Sequence, residues 1–249
     1  MKLAYILVNP PNEMLMFTIV CDIMKFINYI LEVLMKKHLE ILNNEVELLK
    51  KNKKIHSIIL TGSVAYDMAN EDSDLDLLVL CDKDYFENKY IDNVLVEIHF
   101  QKYQTLKKKL KTNPMEVYKY LYSKIIFDNG EYTKLYTIAK ELYDNYKTPD
   151  KEKENISYWL SSTKSKLKSA LNRNDFTRVS YLVATNTWKL LEGIYAINNK
   201  PIPPSSLVFN KHQALFLPID NWFEKLFDED TLTRANTMVE IIDIICTKL

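Results

Sequence analysis

The stretch that decides the fold is Ile58-Ile-Leu-Thr-Gly-Ser-Val-Ala-Tyr-Asp-Met-Ala-Asn-Glu-Asp-Ser-Asp-Leu-Asp-Leu-Leu-Val-Leu80. It opens with an apolar run of buried-strand length, turns at Gly62-Ser63, and closes with a second apolar run that begins at Asp74. Because alternate side chains of a strand share a face, Asp74 and Asp76 are predicted to point the same way, about 7 Å apart along the chain. Two carboxylates placed in this way repel each other unless a cation lies between them.

The turn and the paired carboxylates together indicate a phosphate and metal site. Gly62 permits a tight turn, and Ser63 with the backbone N–H groups after it is suited to hold phosphate oxygens at a helix start. The carboxylate oxygens of Asp74 and Asp76 suit Mg²⁺, which commonly binds through one or two carboxylates plus substrate phosphates.

Gly62-Ser63 followed by Asp74-x-Asp76 resembles the nucleotidyltransferase superfamily with its polymerase-beta-like fold. Within the superfamily, the chain looks like the small bacterial members that include the aminoglycoside and lincosamide nucleotidyltransferases. The resemblance implies a Mg²⁺-dependent enzyme that moves a nucleoside monophosphate onto a hydroxyl of a small molecule such as an antibiotic. The donor is expected to be ATP, which supplies AMP, or another NTP. One departure is that Tyr66 and Asp67 stand where the family often has Arg and then Gly.

A third carboxylate is expected from the resemblance, and the run Val94-Leu-Val-Glu-Ile-His-Phe100 supplies it as Glu97. Strand periodicity places Glu97 and His99 on one face of this run. If the strand pairs antiparallel beside the one that carries Asp76, Glu97 comes within about 5 Å of an Asp side chain. Asp74, Asp76 and Glu97 would then hold one or two Mg²⁺ ions. A surface carboxylate on an alternating strand is the alternative for Glu97.

Composition limits the compartment and the partners. The chain has 33 Lys plus Arg and 33 Asp plus Glu, which argues against a nucleic-acid partner, because such proteins usually carry a basic excess. Its three cysteines lie far apart and its first residues are no secretory signal, which favours a reduced, cytoplasmic protein. Charged residues interrupt the apolar segment Met14–Met35, and its apolar residues recur at helical spacing, so a packed helix is predicted there and no membrane span. Helix 14–51 could pack on the core or form a homodimer, and the sequence leaves both open.

The order of the predicted elements indicates an α+β fold. A small mixed-sheet core, the nucleotidyltransferase domain 1–150, is followed by an all-α helical bundle, the substrate-binding domain 151–249. The predicted segments are a helix at 14–51, strands at 56–60, 74–80 and 94–101, a short helix or loop at 83–90, a helical region at 105–146 broken at 128–130, a linker at 148–155, helices at 156–172, 176–198 and 230–247, and an irregular proline-rich stretch at 201–218.

The helical part offers further candidates for the site. Trp188, Lys189 and Glu192 share a helix face with Thr185. Glu192 is a candidate general base for the acceptor hydroxyl and Lys189 a candidate phosphate contact, with a surface ion pair between the two as the alternative. Lys200, beside the prolines that stop this helix, is a second candidate phosphate contact.

Three functions remain from the sequence alone. The first is the small-molecule nucleotidyltransferase, whose partners are an NTP and a small acceptor. The second is a regulatory, antitoxin-like protein that modifies or binds a protein partner, against which the length and the helical C-terminal part weigh. The third is a catalytically silent nucleotide-binding module, against which the intact Asp74, Asp76 and Glu97 weigh. The basic excess of residues 151–200 fits a polycationic acceptor poorly, unless this segment lies on the outside or faces the triphosphate.

Overall fold

In a computed structural model, residues 36–212 and 215–249 are described. Two compact units divide the chain. The sheet unit consists of residues 36–102 and Ser123–Glu131, and the helical unit consists of Tyr103–Tyr122 and the described residues from Tyr132 onward. The predicted α+β class is therefore confirmed.

The sheet unit is built around a five-stranded mixed sheet, counted over the described residues. The strand order is β3-β4-β2-β1-β5, with β2 and β4 parallel and the other neighbours antiparallel. The elements are α1 (36–50), β1 (Ile55–Thr61), α2 (Gly62–Ala65), β2 (Leu75–Cys81), β3 (Tyr85–Ile91), β4 (Val94–Gln101) and β5 (Lys124–Asp128).

The core of the sheet unit lies between α1 and one face of the sheet. Alternate residues of β4, from Val94 to Phe100, are buried, whereas Glu97 and His99 lie on the other face, as the alternation predicts. Apolar residues of α1, such as Ile41 and Val46, join the same cluster. The part of the predicted helix that precedes residue 36, and with it Met14–Met35, lies outside the described residues.

The segment 83–90, predicted as a short helix or loop, is instead the edge strand β3. Its side chains are almost all exposed, so it carries no alternation of apolar and polar residues from which a strand could be recognised. Asp92 and Asn93, with φ of 49° and 65°, form the two-residue turn from β3 into β4. Positive φ at both positions is typical of the hairpin turn whose twist matches the flanking strands.

Two other sequence-based expectations about the sheet were wrong. Segment 105–146 is not helical throughout, because β5 interrupts it and pairs with β1, a partner distant in sequence. The strand that carries Glu97, β4, runs parallel to β2 rather than antiparallel. The reason is that β3 follows β2 in the chain and forms an antiparallel hairpin with β4, so that β4 again runs in the direction of β2.

The helical unit consists of α3 (Tyr103–Thr112), a 3-10 turn (Pro114–Glu116), α4 (Val117–Leu121), α5 (Glu131–Asp144, mostly in this unit), α6 (Asp150–Asn172), α7 (Phe176–Ile197), α8 (Ser205–Lys211), α9 (Trp222–Leu226) and α10 (Thr231–Lys248). Helices α3 to α5, predicted as part of the first domain, thus lie in the compact helical unit, apart from Glu131 at the start of α5. The functional division at residue 150 stays a prediction. No helix among the described residues is long and apolar enough to cross a membrane.

Most of the predicted linker 148–155 is the beginning of α6. Pro149 stands directly before the helix, where its missing N–H costs nothing. Asp150 and Glu152 occupy the first turn, where the helix dipole favours negative charge. A polar, charged sequence that carries a proline is therefore a helix start here rather than a linker.

Long helices form the core of the helical unit. Helices α6, α7 and α10 bury residues such as Leu160, Ile194 and Ile245. At Gly193 of α7, a Cβ atom would lie 2.8 Å from Cδ1 of Ile245, so glycine allows α10 to approach closely.

Several turns depend on residues other than glycine. The chain has only three glycines. In the described part, positive φ is also adopted by Asp67, Asp92, Asn93, Asn174, Asn199 and Asn221.

Candidate active site

Gly62 joins β1 to the short helix α2 and has φ of +68°, in the left-handed region that favours glycine. A Cβ atom at this position would lie 2.8 Å from Cγ of Asp76 and closer still to its Oδ2. The carboxylate of Asp76 therefore lies directly against the Gly62 backbone. Ser63, half-buried, is the next residue of α2.

The carboxylates predicted to act together lie at one end of the sheet. In the register of the sheet, Asp76 is opposite Thr61 of β1 on one side and Glu97 of β4 on the other. Neighbouring strands lie about 4.8 Å apart, and opposite residues share a face. Asp76 and Glu97 are half-buried, and Asp74, directly before β2, is exposed.

A buried histidine holds the loop that leads to Asp74. The Nε2 atom of His38 in α1 lies 2.8 Å from the carbonyl oxygen of Ser73, and since that oxygen can only accept, Nε2 carries the proton. The Ser73 hydroxyl also donates to Oδ1 of Asn70 at 3.1 Å. Sequence reasoning missed His38, although a polar residue in line with Ile41 and Leu42 on an apolar helix face is a recognisable signal.

The departure from the family pattern at Tyr66-Asp67 has a structural counterpart. Asp67 has φ of +58°, the left-handed conformation for which the usual glycine at this place is suited. Its Oδ1 lies 2.5 Å from Nζ of Lys124. Lys124 lies on β5 opposite Leu60, so the sheet places a lysine cation beside the segment that follows the Gly-Ser turn. The sequence did not single out Lys124, because β5 was missed.

The residues that could hold Mg²⁺ at this end of the sheet are Asp76 and Glu97. Over the described ranges, no group of three His, Cys, Asp or Glu side chains is arranged to hold a metal ion by itself. Asp76 and Glu97, facing the same side on adjacent strands, offer hard oxygen atoms beside the backbone of Gly62. This set fits Mg²⁺ that is bound together with a nucleotide, because Mg²⁺ usually takes one or two carboxylates and completes its shell with phosphates and water. The three-carboxylate site stays a prediction.

Two candidates of the helical unit, Lys189 and Glu192 of α7, form a charged cluster with Glu152 of α6. The Lys189 ammonium donates to Oε2 of Glu192, so the ion pair weighed as the alternative is present. Partial burial raises the pKa of the Glu152 carboxyl, the Glu192 carboxylate raises it further, and Lys189 opposes both. The ammonium of Lys200 lies 4.1 Å above the ring of Tyr143. The catalytic and phosphate-binding roles of these residues stay predictions.

Comparison with known proteins identifies the family of the chain. A family model described as nucleotidyltransferase domain matches residues 36–165, more than half of the chain. The chain therefore belongs to the nucleotidyltransferase domain family, which supports a nucleotidyl-transfer activity and confirms the superfamily resemblance seen in the sequence.

The chain is similar to a nucleotidyltransferase-like protein from Exiguobacterium sibiricum 255-15, with 15% identity and a TM-score of 0.38, over 81% of this chain and 71% of that one. A search of curated proteins found no match.

Proposed function

We propose that this protein is a Mg²⁺-dependent nucleotidyltransferase that transfers AMP from ATP to a hydroxyl group of a small molecule. The observation that carries the proposal is the contact between Gly62 and the Asp76 carboxylate, with Glu97 opposite Asp76 on the adjacent strand. Glycine in the left-handed region is typical of places where the backbone must come close to a ligand or another group, and here the Asp76 carboxylate lies against it.

In the proposed reaction, an acceptor hydroxyl oxygen forms a bond to the α-phosphorus of ATP. The bond from that phosphorus to the bridging oxygen breaks, pyrophosphate leaves, and a general base takes the hydroxyl proton. Mg²⁺, when bound, would offset the negative charge that develops on the phosphate oxygens.

The protein residues position these groups. Asp76 and Glu97 hold the metal side of the nucleotide, and Asp74 adds negative charge at the exposed entrance. Ser63 and the backbone N–H groups after Gly62 contact the phosphate oxygens. Glu192, whose carboxylate accepts from Lys189 on the same helix, is the proposed base for the acceptor hydroxyl.

The test is an intact-mass assay of the purified chain with ATP, Mg²⁺ and a panel of hydroxyl-bearing small molecules. An adduct heavier by one AMP on a panel compound, dependent on Mg²⁺, is the expected result. Asp76→Asn should abolish the adduct, whereas Asp72→Asn, the same change at an exposed position in the preceding loop, should leave it intact. Equal activity in Asp76→Asn and Asp72→Asn would contradict the proposal, and AMP found only on a co-purified protein would replace it with the regulatory function.

A further inference from the structure

A groove of about 410 Å³ lies between α6 and α7, entirely within the helical unit. Its volume falls within the range of small-molecule sites. Three large aromatic side chains border it, and all of them remain substantially exposed: Tyr158 is 76% exposed, Tyr181 66% and Trp159 51%. Aromatic rings of this size are normally covered in a folded protein, so their joint exposure around one groove requires an explanation.

The floor of the groove is a fixed polar network. Asn186 of α7 is 8% exposed, and its Oδ1 accepts from the Trp159 Nε1–H and from the Thr163 hydroxyl, both at 2.9 Å. Its Nδ2 donates to the Leu182 carbonyl at 2.8 Å. Because both the oxygen and the nitrogen of the Asn186 amide are hydrogen-bonded, the amide holds the Trp159 ring in one orientation. The ring therefore presents a preformed surface.

The groove carries positive charge. Lys166 lines it, and none of the described residues that line it is acidic. Aromatic faces by themselves attract cations. A cationic ligand would here meet a lysine and no carboxylate, which disfavours it relative to a neutral or anionic ligand.

We propose that the groove between α6 and α7 binds a neutral or anionic ring compound that carries hydroxyl groups, the chemistry of a glycoside. Such a ring packs against the aromatic side chains that border the groove, Tyr158, Trp159 and Tyr181, and its hydroxyl groups bond to the hydroxyl side chains along the two helices, among them Ser162. An acidic group on the ligand pairs with Lys166. The proposal is separate from nucleotidyl transfer, since every residue that lines the groove belongs to the helical unit.

Three phenyl glycosides with one ring system and different charges test the proposal. They are phenyl β-D-glucopyranoside (neutral), phenyl β-D-glucuronide (anionic) and phenyl 2-amino-2-deoxy-β-D-glucopyranoside (cationic). Binding to the full chain, without nucleotide, is measured by saturation-transfer NMR titration. The glucuronide is expected to bind tightest and the amino sugar weakest. Absence of saturation transfer with the neutral and anionic probes, or tightest binding of the cationic one, would overturn the proposal.

Variants locate the binding. Tyr181→Ala should weaken the two favoured probes by roughly three- to tenfold, the value of one aromatic contact. Tyr90→Ala is the matched control, because Tyr90 on β3 is 75% exposed and lies in the other unit. Lys166→Met should weaken glucuronide binding more than glucoside binding and so remove the preference for the glucuronide. If Tyr181→Ala and Tyr90→Ala behave alike, the groove is not the binding site and the proposal fails, whatever the outcome of the transfer assay.

Discussion

Glycine is required at position 62 for two separate reasons. The backbone has φ of +68°, which disfavours any side chain, and the space where a Cβ would lie holds the Asp76 carboxylate. Only the first reason applies at Gly130, because its φ is +102° and nothing lies within 4 Å of the corresponding Cβ position. The two glycines therefore separate backbone strain from displacement of a carboxylate.

Gly62→Ala is expected to abolish AMP transfer, because the new methyl group must push Asp76 out of place. Both Gly62→Ala and Gly130→Ala should lower the free energy of unfolding by about 1–3 kcal/mol through strain. Urea denaturation and the intact-mass assay measure the two effects. Transfer should survive in Gly130→Ala, and a Gly62→Ala protein with normal transfer would refute the role given to this contact.

Glu97 lies opposite Asp76 in the register of the sheet, which brings two carboxylates together on one face. Glu97→Gln removes one negative charge, so the metal-free protein should be as stable as wild type or more stable, by about 1 kcal/mol at most. The gain in melting temperature on adding Mg²⁺ and ATP should shrink, because the variant binds them more weakly.

Glu87→Gln is the control for Glu97→Gln. Glu87 lies exposed on β3, so the same substitution should change the stability of the metal-free protein by no more than about 0.5 kcal/mol. The gain in melting temperature on adding Mg²⁺ and ATP should equal that of wild type. An identical ligand-induced shift in wild type and Glu97→Gln would show that Glu97 is a surface carboxylate.

Among the elements, helix α1 has a role beyond covering the sheet. Through His38 it fixes the carbonyl of Ser73, one residue before Asp74. The same helix contributes Glu45, which is buried and forms a 2.6 Å ion pair with Lys89 on β3. One helix thus ties the loop before β2 and the edge strand of the sheet to the same core.

His38→Ala should leave the Ser73 carbonyl without this donor and cost about 1–3 kcal/mol of stability. The AMP-transfer rate should fall up to about 100-fold through misplacement of Asp74, with a smaller effect on the KM for the acceptor. Steady-state kinetics measure the change, and Lys37→Ala, at the exposed neighbouring position, serves as control. A loss of stability with unchanged kcat would show that His38 is structural only.

For the whole molecule, the two units are expected to respond to different ligands. In hydrogen-exchange mass spectrometry, Mg²⁺ with ATP should slow exchange in the segment 58–76, where the proposed nucleotide contacts lie. Phenyl β-D-glucuronide should slow exchange in α6 and α7 instead. Protection of α6 and α7 by Mg²⁺ and ATP alone, with no change at 58–76, would contradict the placement of the nucleotide at Gly62.

The sequence predicted those parts of the molecule that have a local signature. The Gly62-Ser63 turn, the strand after Asp74 and the helix 176–198 each combine an apolar period with a recognisable turn or stop residue. β3 and β5 lack such a signature, because one is exposed on both faces and the other is short and pairs with β1 from a distance. The contact of Asp67 with Lys124 was missed for the same reason.

The scarcity of glycine in the turns has a consequence for the unfolded chain. Asn and Asp at positive φ accept a strained backbone in the native state, yet they restrict the unfolded backbone more than glycine would. Turns such as Asp92-Asn93 and Asn199 therefore lose less conformational entropy on folding than glycine turns at the same places. Part of the stability of this fold is thereby set by the limited freedom of its denatured ensemble rather than by contacts in the native structure.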